Sequence, residues 1–270
     1  MIDPVIKWSG SKRSQADALV ELFPEFETYY EPFLGGGSVL YAVLEKRKPD
    51  FAVASDICKP LIDLWRLIQQ DPETLVRAYT KDWERLQSQG HTIFYEIRDR
   101  FNENQNPEDL FFLSRTCVNG LIRFNSNGEF NNSLHYTRRG IQPSRIEKII
   151  KDWSKVIKKV EFIHGDYKEI LKMATSSDFA YLDPPYFNTR GRYYGKIDYE
   201  EFVSALHDLN NKGVHYVLSY DGMRGDIVYP TKLPEEVYER HLLLKSGNSS
   251  FKKVMDKMNQ SVFESVYLDF

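Results

Sequence analysis

The run Phe179-Ala180-Tyr181-Leu182, followed at once by Asp183-Pro184-Pro185-Tyr186, constrains this chain more than any other feature. Four apolar residues suit a short buried strand. Neither proline can donate a backbone hydrogen bond to a sheet, so the strand must end there, and their fixed φ holds the flanking carbonyls in place. Asp183 offers two acceptor oxygens and Tyr186 a flat π-face. An exocyclic amino group on a planar ring needs that set: acceptors for two N–H groups and a ring to stack on. In open α/β sheets, ligands bind beyond the carboxyl ends of strands. A plain strand-terminating turn uses the same residue types, so the rest of the chain must decide between turn and site.

The rest of the chain carries the pattern of such a sheet. Residues 28–34 (TYYEPFL) read as a strand that breaks at Gly35-Gly36-Gly37-Ser38, and VLYAVLEKRK reads as the helix behind it. FAVA (51–54) is a second buried strand, ended by Ser55-Asp56. KPLIDLWRLIQQ (59–70) is an amphipathic helix with Leu61, Leu64, Trp65 and Ile68 on one face. Strand, Gly loop, helix, strand, acid is the order of a βαβ unit and a parallel sheet. Residues 71–158 break the rhythm. They read as polar helices over 71–87, 92–104 and 109–117, followed by Asn125-Ser126-Asn127-Gly128, a hairpin signal. The α/β pattern resumes with a strand at 160–164, a helix to Met173, and the strand into Asp183. A helix over 199–211, a strand over 214–219 and a closing antiparallel pair over 237–244 and 262–270 complete it. The expected architecture is therefore a doubly wound, mostly parallel seven-stranded α/β sheet, Rossmann-like, with an inserted helical and β-hairpin subdomain. Its sheet domain takes residues 1–70 and 159–270, and the insertion takes 71–158.

Composition narrows the function. The 270 residues are 41% apolar, enough for a full core. Net charge is −3, yet residues 138–159 hold Arg138, Arg139, Arg145, Lys148, Lys151, Lys155, Lys158 and Lys159 against only Glu147 and Asp152. A basic stretch on an acidic protein can track phosphates, or it can be a solvated helix face. Cys58 and Cys117 lie far apart without metal-ligand spacing, so neither a zinc site nor a disulfide framework is expected. No signal peptide or membrane span is legible, and a cytoplasmic location is expected.

The Gly-rich strand-to-helix junction lets the backbone turn sharply and a ligand approach closely. The helix N-terminus behind it favours an anionic or polar group. Asp56 ends the second strand roughly 20 residues on, where a carboxylate can grip the two hydroxyls of a ribose. The pattern is neither G-x-G-x-x-G nor a P-loop, so an adenosine-containing ligand fits better than a dinucleotide or ATP. An adenosyl ligand beside acceptors for a planar amine suggests S-adenosylmethionine and methyl transfer to a base nitrogen. Taken together, these motifs resemble the Dam-like (α-group) DNA adenine-N6 methyltransferases. In that group the Gly-rich cofactor motif comes first, the DNA-reading region second and Asp-Pro-Pro-Tyr last, and the resemblance covers nearly the whole chain. Lys7-Trp8-Ser9-Gly10-Ser11-Lys12 resembles the family's N-terminal motif, Glu31 to Ser38 its cofactor loop, and Gly165-Asp166-Tyr167 the segment beside the adenine.

The resemblance implies cofactor contacts at Trp8, Lys12, Phe33, Gly35, Gly37, Ser38, Asp56, Asp166, Tyr167 and Asp183. It implies catalytic roles for Asp183, Pro184, Pro185 and Tyr186. Residues 115–131 resemble the DNA-reading hairpin, with Asn119, Leu121, Arg123 and Asn125 as candidate contacts and Arg138 and Arg139 beside them. The family's usual Pro-x-Gly after Phe-Asn is replaced by Asn132-Ser133-Leu134-His135-Tyr136, a departure in the specificity region. GATC or a related short motif is the expected target, on double-stranded DNA, by a monomer needing no metal. A cognate restriction endonuclease encoded nearby is a further candidate partner. Cytosine-N4 methylation and a non-catalytic DNA-binding relative are the competing readings; Asp183 rather than Ser favours adenine by family habit.

Overall fold

The structure, a computed structural model, describes residues 2–125, 127–137, 139–185, 197–224, 227–228, 233–248 and 261–270. Strands β1 (Thr28–Glu31), β2 (Phe51–Asp56), β3 (Val160–His164), β4 (Phe179–Leu182) and β5 (His215–Arg224) run parallel. A two-residue strand, β6 (Ile227–Val228), pairs antiparallel with β5. Strands β7 (Arg240–Asn248) and β8 (Ser261–Leu268) close the sheet, with β8 antiparallel between β5 and β7. The main path is β3-β2-β1-β4-β5-β8-β7, seven strands as expected, and β6 lies off it. The order reverses between β1 and β4, which is where an open sheet of this kind offers its crevice.

Alternation along each strand builds two cores. Tyr29, Ala52, Ala54, Phe179, Tyr181 and Val217 face one layer, and Tyr30, Val53, Ala180, Leu182 and Leu218 face the other. Helices α1 (Ala16–Glu21), α2 (Ser38–Lys46) and α3 (Lys59–Gln70) cover the first face. Helices α8 (Tyr167–Met173) and α9 (Tyr199–Lys212) cover the second. Leu61, Leu64, Trp65 and Ile68 are fully buried along α3, the stripe that its spacing predicts.

Residues 71–158 form α4 (Pro72–Gln89), α5 (Thr92–Asn104), α6 (Pro107–Thr116) and α7 (Pro143–Val156). Pro72, Pro107 and Pro143 each open their helix, where a missing N–H costs nothing. Asp71 caps α4 by accepting from Thr74 N at 3.1 Å. The core of this helical region is continuous with the first face of the sheet, so α3 packs on both. Arg100 pairs with Asp109 and, at 3.0 Å, with Asp82; Arg85 reaches Asp82 at 3.1 Å and Glu96 at 2.8 Å. These pairs link α4, α5 and α6.

Element bounds moved where backbone chemistry intervened. β1 stops at Glu31 rather than at residue 34, because Pro32 has no N–H to offer the sheet. The strand expected from 237 begins at Arg240, after a 3₁₀ turn over Glu235–Val237. The hairpin signal at 125–128 gives a narrow turn with isolated bridges Phe124↔Phe130 and Cys117↔Leu134, not a long ladder. Asn125 organises it: its N donates to Glu129 O at 2.9 Å, and its side-chain oxygen accepts from Asn127 N at 2.9 Å and Glu129 N at 3.0 Å.

Candidate active site

The glycine loop takes its shape from two tryptophans and an acid. Gly35 and Gly37 have φ of +48° and +64°, the left-handed region that glycine occupies without penalty. A Cβ on Gly35 would stand 2.8 Å from Trp8 Cδ1, and one on Gly37 2.9 Å from Trp65 Cζ2. Trp65 Nε1 donates to Gly35 O at 3.1 Å. Asp56 Oδ2 accepts from Gly35 N at 3.1 Å, and its Oδ1 accepts from Cys58 N at 2.9 Å. With about four lone-pair sites, the Asp56 carboxylate can still accept from a ligand. Burial pushes Asp56 up to about 6, while the Cys58 and Gly35 amides pull the other way.

Across the reversal point, Asp183 follows β4. Its Oδ1 accepts from Lys12 Nζ at 2.7 Å, and the same ammonium reaches Glu264 Oε1 at 2.9 Å. Burial raises Asp183 to about 6; Lys12 opposes the rise and Glu264 adds to it. Glu31, at the end of β1, accepts from Tyr29 Oη at 2.6 Å, and burial drives it up to about 8. Ser11 Oγ lies 3.0 Å from Ser38 Oγ, which ties the N-terminal segment to the start of α2.

One cleft gathers these groups. It encloses about 1190 Å³, solvent space at its mouth included, which suits a ligand of drug or nucleoside size. Trp8, Lys12, Phe33, Gly35, Gly37, Ser38, Asp56, Asp166, Tyr167, Asp183, Pro184 and Pro185 all line it. The sequence places these residues on five separate segments, and the fold brings them to one wall-to-wall site. Asp166 also caps α8, accepting from Lys168 N at 2.9 Å. Tyr186 lies outside the described residues.

Three features fit an adenosyl ligand. The left-handed glycines let the loop turn closely against Trp8 along the cleft wall. Asp56 retains acceptors at one end. The Tyr167 hydroxyl is buried, lines the cleft and has no hydrogen-bond partner among the described residues.

A profile of the D12 class N6 adenine-specific DNA methyltransferases matches residues 8–259. That span runs from the N-terminal segment through the glycine loop, Asp56 and Asp183. The chain belongs to this family. It is 31% identical over 244 residues to a Type II methyltransferase, M.MjaIII, of Methanocaldococcus jannaschii, covering 81% of this chain and 84% of that protein. It is 28% identical to the Type II methyltransferase M1.LlaDCHI of Lactococcus lactis subsp. cremoris, over 87% of this chain and 84% of the relative. Against a DNA adenine methylase of Vibrio cholerae the identity is 28%, over 67% of this chain and 64% of that protein.

The candidate DNA-reading residues of this methyltransferase stand apart from the cleft but beside its N-terminal wall. Ser9 Oγ donates to Ile122 O at 3.4 Å, and a Cβ on Gly120 would collide with Lys7 Cδ at 2.5 Å. Asn119, Leu121, Arg123 and Arg139 are exposed, and Asn125 is half-buried within the turn. Asn119 adopts φ +58°, a conformation Asn tolerates better than most residues. Arg138 lies outside the described residues. Within the basic stretch the lysines of α7 are paired: Lys148 with Asp152 at 2.8 Å, Lys151 with Glu147 at 2.6 Å and with Glu73 of α4 at 3.0 Å, and Lys155 with Asp152 at 3.5 Å.

The sequence does not single out Ile57, Tyr181 or Glu264, and it gives Glu31 only as the first residue of the cofactor loop. Ile57 follows Asp56 on the cleft wall, 43% exposed where an isoleucine in the core would be covered. Glu31 and Tyr181 face inward from β1 and β4. Glu264 holds a core-facing position of β8 by the two-residue period that buries Val266 and Leu268. A carboxylate at a core position was the available signal for both glutamates.

Proposed function

We propose that this methyltransferase moves the methyl group of S-adenosylmethionine to N6 of an adenine turned out of duplex DNA, at GATC or a related short motif. The reading is carried by one observation: Asp183 and the Gly35–Asp56 cradle face a single cleft. Bound there, the cofactor supplies a methyl group already activated on a sulfonium. Asp56 would accept from the ribose hydroxyls, and Phe33, Ile57, Tyr167, Trp8 and Ser38, which line the same cleft, would hold the rest of the cofactor.

An adenine within the stack presents no face to such a cleft, so the target must leave the helix. Asp183 and the carbonyl of Pro184 accept the two N6–H bonds, and Tyr186 stacks on the ring. Two acceptors raise the electron density of a weakly nucleophilic amine and aim its lone pair at the methyl group. As the N–C bond forms, the S–CH3 bond of the sulfonium breaks to leave a neutral thioether, and the N6 proton, now acidic, leaves along its hydrogen bond to Asp183 toward solvent. Positioning of the two reactants supplies much of the acceleration.

In this reading residues 1–70 and 159–270 do the chemistry and residues 71–158 select the target. Arg123 donates to a guanine edge, Asn119, Leu121 and Asn125 contact neighbouring bases, and Arg138 and Arg139 grip phosphates. The enzyme acts as a monomer in the cytoplasm on nucleoid DNA, alone or with a restriction endonuclease encoded nearby. Incubating purified protein with plasmid and S-adenosylmethionine, followed by single-molecule sequencing, tests it. N6-methyladenine at one short motif is expected; modified cytosine, or no modification by protein that binds the cofactor, would reject it.

A further inference from the structure

The hairpin over residues 123–131 has a strand edge that its own partner strand cannot satisfy. Phe124 and Phe130 face each other as an antiparallel bridge. The bonds that close the ladder flank this pair: Asn125 N donates to Glu129 O at 2.9 Å, and Asn131 N donates to Arg123 O at 3.0 Å. In such a ladder the N–H and C=O of Phe130 point outward, away from the hairpin. Phe130 is buried, so leaving both groups unmatched would be costly. Asn102, on α5, takes both. Its Oδ1 accepts from Phe130 N at 2.8 Å, and its Nδ2 donates to Phe130 O at 3.2 Å. The carboxamide does here what a residue of a neighbouring strand would do. Phe101, the residue before it, packs its ring on Phe124 and Phe130, at 6.5 and 6.3 Å between centroids. Apolar contact of this kind holds the hairpin down but has no direction; the two bonds from Asn102 do.

We propose that Asn102 is a positioning residue for target selection: by clasping Phe130 from α5 it fixes the register of the hairpin, and with it the aim of the exposed Arg123 side chain. A slip of one residue would turn every side chain of a strand to its other face. The path is short, from Asn102 to Phe130 and from Asn131 to Arg123. Asn102 acts through the hairpin and touches no base. This rests on the reading of Arg123 as a donor to a base edge. The physical consequence is that a helix of the inserted region, outside the hairpin, governs discrimination at the base Arg123 reads.

Methylation of short DNA duplexes by the full chain tests it. The rate constant kcat/KM is measured on the motif found by plasmid sequencing and on each single-base change of it, for wild type, Asn102→Ala, Arg123→Ala and the double variant. Arg123→Ala should lose discrimination at one base position. Asn102→Ala should lower discrimination at that same position on the order of five- to tenfold, part of what a well-aimed bidentate contact gives. The double variant should lose no more there than Arg123→Ala alone. Unchanged discrimination in Asn102→Ala, a rate that falls equally on all duplexes, or losses that add in the double variant overturn the proposal. Thermal melting identifies a variant that does not fold. Should Asn102→Ala be one, Asn102→Asp decides, because it keeps the acceptor for Phe130 N and loses the donor: reduced discrimination at that position supports the clasp, and wild-type discrimination overturns it. Unchanged discrimination in Arg123→Ala would overturn the reading of Arg123, and this assignment with it.

Discussion

Asp183 sits between two demands. In the proposed reaction it accepts from an amine as the ionised carboxylate, while burial raises its pKa to about 6 against the pull of Lys12. The catalytic rate should therefore fall about tenfold per pH unit below roughly pH 6, the acid limb of a bell-shaped profile. Asp56, also raised to about 6, adds a parallel loss in cofactor affinity over the same range. A rate flat down to pH 5 would show that the ionised carboxylate is not needed. Asp183→Ala should abolish turnover and leave DNA binding, followed by fluorescence anisotropy, close to wild type; loss of both would mark Asp183 as structural. Gly37 makes a different kind of contribution. Its left-handed φ and the 2.9 Å approach to Trp65 leave no place for a methyl group. Gly37→Ala should cost about 1–3 kcal/mol in urea unfolding and weaken cofactor binding, whereas Gly128→Ala, with open space around it, should cost little beyond its φ of +78°.

The 115–131 segment works as an element rather than as separate residues. Asn125 ties the turn to itself through five hydrogen bonds, and Ser9 and Lys7 pin the segment to the wall of the cleft. That leaves the exposed Arg123 side chain on a braced loop beside the site. Arg123→Ala should cost about 1–3 kcal/mol at one base position and relax selectivity there. A uniform loss over all sequences, with a shallower salt slope, would instead identify a phosphate contact. Helix α7 behaves differently from what its charge count suggests. Lys148, Lys151 and Lys155 spend their charge on Asp152, Glu147 and Glu73, all within reach along or beside the helix. Lys148→Ala with Lys155→Ala should leave DNA affinity nearly unchanged, while Arg139→Ala should weaken it; gel-shift titrations at two salt concentrations would tell the two apart.

At the scale of the whole molecule, the cleft gathers carboxylates that folding leaves under strain. Glu31, Asp56 and Asp183 all have raised values in the folded chain, so each binds its proton more tightly folded than unfolded. Stability from these groups is complete below their unfolded values, near pH 4, and declines as pH rises toward the folded values of about 6 and 8. The ligand-free protein should melt lower at pH 8.5 than at pH 5.5. Glu31→Gln should recover more than about 1.4 kcal/mol at pH 8.5, the free energy of a tenfold proton equilibrium, with the gain vanishing near pH 4.5. Parallel melting curves for wild type and variant would refute this account. Much of this molecule is legible in its sequence. The period-two strands, the amphipathic α3, the Gly-rich turn, Asp56 and the Asp-Pro-Pro stop are local signals, because backbone sterics and side-chain spacing act over a few residues. The Lys12–Asp183–Glu264 group was not legible, since its members lie on three segments joined only by the strand order β4-β5-β8. Nor was the pairing of the α7 lysines, in which Glu73 reaches Lys151 from another helix. The sequence determines which groups can donate, accept or carry charge; tertiary packing alone decides which of them are buried together, and burial is what turns a pair of charges into a chemical environment.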